Sequence, residues 1–257
     1  MVSLYEAMFH RKSIRRYDMN PLKEEILEGI KQYVKNVESL IEGIKVEFTY
    51  LSSGEVKNIL PVRAPHYLCI YSEKADNYLM NAGFMLQQVD LYLSSRDIGS
   101  CWLGMARPEK GVPQEMNGMS FVIMLAFGNS AEPVHRMDAS EFKRRGLSEI
   151  SAAKHADDIL KAVRIAPSAS NSQPWFFTGD AEKLNIYRAR LGMIKAALYD
   201  NMNQIDIGIA ICHLFIAARA LGKEMELMSD EKGEAMAPKG YQYMISVAAM
   251  PSDANAR

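Results

Sequence analysis

Three cysteines are all that this chain of 257 residues carries, and no Cys-x-x-Cys pair is among them. Cys69, Cys101 and Cys212 suggest neither a disulfide framework nor a zinc site. A charge of one sign is lacking too. The formal net charge is −1, which leaves no global basic field for nucleic acid and makes the basic clusters at residues 11–16 and 143–145 local features. Long apolar runs are missing: the longest, residues 205–218, contains Asp206 and His213 and is too short to span a bilayer. Glu6, His10 and Arg11 interrupt the N-terminus too early for a signal peptide, so a cytoplasmic protein with no membrane partner is expected. His10, His66, His135, His155 and His213 show no metal-ligand spacing, and no metal is expected. The Walker loop, the dinucleotide Gly-x-Gly-x-x-Gly, His-Glu-x-x-His and Gly-x-Ser-x-Gly are all absent. What remains is ordinary globular composition, 48% hydrophobic and 24% charged, in a chain long enough to bury a sizeable core.

Two stretches stand out. The first, Ala166-Pro167-Ser168-Ala169-Ser170-Asn171-Ser172-Gln173-Pro174-Trp175, is a small polar loop bracketed by prolines and running into an aromatic strand. Each proline fixes its own φ and biases its predecessor toward extended geometry. Between them lie short hydroxyl and amide groups able to meet a ligand's polar edge. Read alone, the stretch is equally an ordinary loop-to-strand connection. The second, Arg11-Lys12-Ser13-Ile14-Arg15-Arg16-Tyr17, sets four cations and a hydroxyl in six residues. Guanidinium forks and a serine hydroxyl suit a phosphate dianion, although a solvated basic surface run would look the same. Together, the order Pro-Ser-x-x-Asn-x-Gln-Pro-Trp and the order Arg-x-Ser-x-Arg-x-Tyr resemble the flavin loop and the phosphate grip of the FMN-dependent nitroreductase family.

The organisation of the chain is doubled. The strand-like run at residues 68–71 recurs at 184–187, 46–50 corresponds to 175–178, and 121–126 to 243–248. Helical segments open both halves near 22–36 and 155–165. Longer helices at 79–95 and 203–221 end on Gly99 and Gly222, residues suited to the left-handed position after a helix. The helix at 203–221 is apolar nearly all round and is expected to be buried. We read two copies of a helix–strand–strand–helix–strand unit, residues 1–150 and 151–257. The expected fold class is α+β: two tandem repeats forming a pseudo-dimer around two central buried helices.

The resemblance adds further expectations. In that family two identical subunits share each flavin. Here the phosphate grip opens one half and the Pro-Ser loop lies in the other. Residues 36–43 lack the loop pattern, and the second half lacks Arg-x-Ser-x-Arg, so one complete motif set per chain is expected. By resemblance FMN would be held by Arg11, Lys12, Ser13 and Arg15 at the phosphate, with Lys143 and Arg145 reaching it from a second side. Pro167, Ser168, Ala169, Asn171 and Gln173 would form the flavin loop. The stretch Gly99–Met105 would be the loop after the central helix, with the backbone at Leu103 and Gly104 turned to flavin N5. The implied activity is ping-pong hydride transfer from NADH or NADPH, through FMN, to a small acceptor such as a nitroaromatic or quinone. No catalytic side chain is implied, because the flavin carries the chemistry. A non-catalytic FMN-binding or sensing protein is the alternative, and a ligand-free structural protein a third reading. A folded monomer is expected to be possible, with a homodimer equally open.

Overall fold

Short runs rich in apolar, β-branched and aromatic residues build the main sheets of this protein. The computed structural model describes residues 2–250, and the chain divides into two compact units that part at Glu141/Phe142.

In the first unit α1 (Leu4–His10) opens on a capping box, in which Ser3 Oγ accepts from the Glu6 amide and the Glu6 carboxylate accepts from the Ser3 amide. There follow α2 (Glu24–Val34), β1 (Val46–Ser52), β2 (Val56–Lys57), β3 (His66–Ser72), α3 (Tyr78–Ser95), β4 (Gly99–Leu103), β5 (Arg107–Pro108), β6 (Glu115–Met116) and β7 (Met119–Gly128). The main sheet runs β1-β3-β7-β4, all antiparallel, with β6 beside β7, while β2 and β5 form a separate ribbon. Leu68, Cys69, Ile70 and Tyr71 on β3 are fully buried, as a central strand covered on both faces requires. α3 is buried along almost its whole length and packs on α1, β3, β4 and β7.

The second unit comprises α4 (Leu147–Ile150), α5 (Asp157–Arg164), β8 (Trp175–Gly179), β9 (Lys183–Ala189), α6 (Met193–Ala220), β10 (Met225–Met228), α7 (Glu231–Ala235) and β11 (Tyr241–Ala249). Its sheet runs β10-β11-β9-β8, again antiparallel. Counting β1, β3, β4 and β7 in the first unit and β8 to β11 in the second, each unit lays its first two strands side by side, crosses by a long helix, and pairs the last strand between the second and the third.

Three local expectations are corrected. The stretch from Gly99 is not a loop: residues 99–103 form β4, paired residue for residue with β7 from Gly128 to Met124. The left-handed position after α3 belongs to Asp97 (φ 59°), not to Gly99. The Ile98 amide bonds Leu93 O and the Asp97 amide bonds Ser94 O, a closed Schellman pattern that leaves Gly99 free to enter the strand. After α6 the same pattern falls on Gly222 (φ 76°), as the sequence indicates. α6 also begins ten residues before the expected 203. Its early turns consist of helix formers but expose Met193, Ile194 and Leu198, so no buried stripe marks them in the sequence. Among the described residues no helix is long and apolar enough to cross a membrane.

Candidate functional site

In the first unit the basic stretch is an extended segment, bridged to β4 at Ser13↔Ser100 and to the chain after β7 at Arg11↔His135 and Tyr17↔Ser130. The Ile14 amide donates to Ser100 O at 2.8 Å. Arg11, Ile14 and Tyr17 are buried, Lys12 and Ser13 are half-buried, and Arg15 and Arg16 are exposed. Lys12 Nζ donates to Pro133 O at 3.2 Å. Glu132 accepts from the Arg15 amide at 3.1 Å and from the Arg16 guanidinium at 3.5 Å, and the first of these bonds holds its carboxyl below the usual range.

Arg11 occupies a different post from its neighbours. Its residue is 1% exposed, and its Nη1 lies 3.3 Å from Oδ2 of Asp90, a buried residue of α3. Asp90 also accepts from Ser100 Oγ at 2.5 Å and from Gln87 Nε2 at 3.2 Å, while Arg11 reaches Ser13 Oγ at 3.4 Å. A second guanidinium, Arg136, donates to the Arg11 carbonyl. Burial, and next the charge of Arg11, push Arg136 down to about 10. The motif thus sits in a positive field whose nearest buried counter-charge is Asp90. Asp90 and Arg136 carry this arrangement, and sequence reading assigned a role to neither. The available signal was an aspartate among the apolar residues of a helix that is otherwise core.

Beyond β4 the chain turns. Leu103 is buried in the sheet opposite Met124. Gly104 is half-buried, its carbonyl accepts from Arg107 at 3.1 Å, and Met105 is exposed. Burial raises the Cys101 thiol to about 11 and the Cys69 thiol to about 12, so neither is a thiolate nucleophile at neutral pH.

In the second unit the structure brings the proline-bracketed loop against Lys143, Arg144 and Arg145. Pro167, Gln173, Pro174 and Trp175 are buried, while Ser170, Asn171 and Ser172 are exposed. Between Pro167 and Pro174 lies a single tight turn, Ala169–Asn171, in which Asn171 N bonds Ser168 O and Ser172 N bonds Ala169 O, each at 3.0 Å. Ser170, Asn171 and Gln173 all take left-handed backbone (φ 51°, 56° and 46°). Three such non-glycine residues in four positions persist only where surrounding contacts over-determine them.

Those contacts are dense. Asn171 Nδ2 donates to Lys143 O at 2.7 Å and its Oδ1 accepts from Arg144, whose Nε and Nη2 also cap Ala166 O and Ile165 O at the end of α5. Gln173 Oε1 accepts from the Arg145 amide at 2.8 Å, Gln173 O accepts from Arg145 Nη1 at 3.4 Å, and Gln173 N donates to Ser168 Oγ at 2.9 Å. From beneath, Ala169 N donates to both carboxylate oxygens of Asp206 on α6, at 3.0 and 3.2 Å. Asp206 is buried, and burial lifts its carboxyl from the ordinary 3.8 to about 8. In the sequence it showed only as an interruption of an apolar run. The buried Trp175 indole N–H and Asn203 Oδ1 have no hydrogen-bond partner among the described residues.

A family model described as "Putative TM nitroreductase" matches residues 3–218. Among solved structures, a putative nitroreductase from Thermotoga maritima superposes with a TM-score of 0.65 at 19% identity, covering 96% of this chain and 93% of that one. An FMN-dependent nitroreductase from Clostridium difficile R20291 gives 0.42 at 17% identity over 53% of this chain and 93% of its own. A nitroreductase with bound FMN from Bacteroides fragilis gives 0.42 at 16% over 54% and 94%. No curated protein matches the chain.

Proposed function

This chain belongs to the nitroreductase family described as "Putative TM nitroreductase", and from that premise we propose that it is an FMN-dependent oxidoreductase of cytoplasmic location. The observation that carries the reading is the cation cluster of the first unit. Arg136 donates to the Arg11 carbonyl, and after burial the charges of Arg11 and Arg15 lower its proton affinity against the opposing pull of Glu141; an anion bound there would offset those like charges. A phosphate monoester fits such a donor set, because guanidinium forks meet its oxygens in pairs. Lys12, Ser13 and Arg15 offer accessible donors for it, while Arg11, locked to Asp90, sets the path of the segment from behind.

In the second unit the reading gives the loop Pro167, Ser168, Ala169, Asn171 and Gln173 to the flavin, together with Lys143 and Arg145. The tight turn and its left-handed residues support that assignment, since preorganised strain is frequent at binding sites. Leu103 and Gly104 complete the proposed contacts, through backbone and not side chain. The chemistry such a cofactor supplies is hydride exchange between NADH or NADPH and a small acceptor, a nitroaromatic or quinone, in ping-pong order. This chain's residues would bind and orient the cofactor. We read the shared strand path of the two units as an internal duplication of residues 1–150 and 151–257, with one motif set, hence one FMN, per chain.

Heat-released flavin, measured against protein, tests the reading. A ratio near one FMN per chain, with anaerobic bleaching by NADH or NADPH and recovery on adding a quinone, is the expected result. FMN held but reduced by neither nicotinamide would favour a binding or sensing role, and protein that takes up no FMN would end the proposal.

A further inference from the structure

The loop Ser168–Gln173 is held on its outer side by groups that the chain itself places nearby. Lys143 and Arg144 fix Asn171, and Arg145 fixes Gln173. On the inner side the Asp206 carboxyl meets the turn, with both oxygens within 3.2 Å of a single amide, Ala169 N. That amide opens the tight turn, immediately before the left-handed residues Ser170 and Asn171. A carboxylate is an unusual choice for a core helix position whose neighbours are Ile205, Ile207 and Ile209.

We propose that Asp206 is a positioning residue for the flavin loop: by accepting the Ala169 amide from inside α6, it sets the left-handed path through Ser170 and Asn171 that gives the loop its shape. The inference deepens the FMN reading, on which its link to the cofactor rests, but the loop geometry itself does not depend on a bound flavin.

The surroundings make the carboxyl's charge state matter. From α5 the charged groups Asp157, Asp158 and Lys161 are solvent-exposed and Arg164 is half-buried. From the segment before α4, Arg144 is turned to the carbonyls of Ile165 and Ala166 and to Asn171, and Arg145 to Gln173. On α6 itself His213 is two turns on and bonds Ala162 O at 2.9 Å. Asp206 forms an ion pair with none of them among the described residues. Burial, opposed only by the Ala169 bond, therefore governs its titration and raises it to about 8. Near neutrality the loop rests on a protonated carboxyl, and in more alkaline solution an uncompensated charge appears under it.

The test uses the full-length chain without FMN, comparing wild type with D206N and D206A by hydrogen exchange of a peptide spanning residues 166–175, with β9 and β11 as internal references. An amide side chain keeps an oxygen for Ala169 N, and alanine does not. Loss of one buried hydrogen bond corresponds to roughly tenfold faster opening, so D206A should exchange the loop about tenfold faster while β9 and β11 stay protected. D206N should restore the wild-type rate. Once corrected for intrinsic base catalysis, wild-type loop exchange should also show a step on the alkaline side of neutrality that D206N lacks. Should D206A fail to fold, the pH profile decides: a step retained in D206N overturns the assignment, as does unchanged loop exchange in a folded D206A. FMN titration of the same samples separates the two readings. If wild type binds no FMN, the cofactor proposal fails even where the exchange results hold. If FMN binds and D206A retains it as tightly as wild type, Asp206 does not position a flavin loop.

Discussion

Replacing Arg11 by alanine separates two roles that the sequence motif alone runs together. If Arg11 served as a phosphate ligand at the surface, its loss would weaken FMN retention and leave the apo protein's stability almost unchanged. In the structure its side chain is 2% exposed, and it neutralises an Asp90 side chain with no exposure at all. Removing one partner of a buried ion pair costs about 3–5 kcal/mol, because the other charge is left in a poor solvent. Two neutral donors, Ser100 Oγ and Gln87 Nε2, stay on Asp90, and Arg136 is relieved of a neighbouring like charge. Both effects place the loss near the lower end, about 3 kcal/mol. For a unit of this size that corresponds to a melting point lower by roughly 6–12 °C. Calorimetry of apo wild type and Arg11→Ala, with and without excess FMN, is the assay. The double variant Arg11→Met/Asp90→Leu should recover most of the loss, since apolar replacement of a whole buried pair is often neutral or better. An apo Arg11→Ala protein that melts with wild type and is impaired only in holding FMN would refute the argument.

Arg15→Ala removes an exposed cation and should leave the melting point alone while weakening FMN at least tenfold, the scale of one charge-assisted hydrogen bond; equilibrium dialysis against FMN and riboflavin checks it, and equal binding of the two flavins would remove the phosphate role. The raised Asp206 carboxyl gives a stability profile with a definite sign. The folded chain keeps a proton that the unfolded chain has released above pH 3.8, so stability should fall as pH rises from about 4 to about 8, by up to about 1.4 kcal/mol per unit, and level off beyond. Urea titrations across that window should show the fall in wild type and a flatter curve in Asp206→Asn. Gly128→Ala should destabilise the first unit by about 1–3 kcal/mol, because the added Cβ would meet Pro65 Cγ at 2.6 Å and Cδ at 2.8 Å, in a ring that cannot swing away; denaturant unfolding measures the loss, and a neutral result would mean that the segment carrying Pro65 yields.

The mixed α/β fold and most of its elements are legible in residue order. Runs such as 68–71 and 184–187 are short, apolar and β-branched or aromatic, and each became a central strand, because local preference and burial agree there. The later turns of α6 are legible for the same reason, since a nearly continuous apolar surface admits no solvent-facing alternative; α3 is legible from its apolar majority, although Gln87, Gln88 and Asp90 interrupt it. The motif segments are legible as chemistry, four cations here and a proline-bracketed polar turn there, since composition reports what groups are available. What they touch is a different matter. Arg11 and Asp90 stand far apart in the chain, with no periodicity to join them, and the packing of α1 on α3 brings a surface-looking arginine at the end of α1 to the buried aspartate. Asp206 and Ala169 meet because α6 passes beneath the loop, and no local rule fixes that register. At Asp97 the closing hydrogen bonds of α3 decided which residue turned left-handed, overriding glycine's greater freedom two positions on. Charge partners and strained turns are set by long-range contacts, whose energies exceed the local preferences that a sequence displays. For that reason the elements could be read from the chain, while the partners of Arg11, Asp90 and Asp206 waited on the tertiary structure.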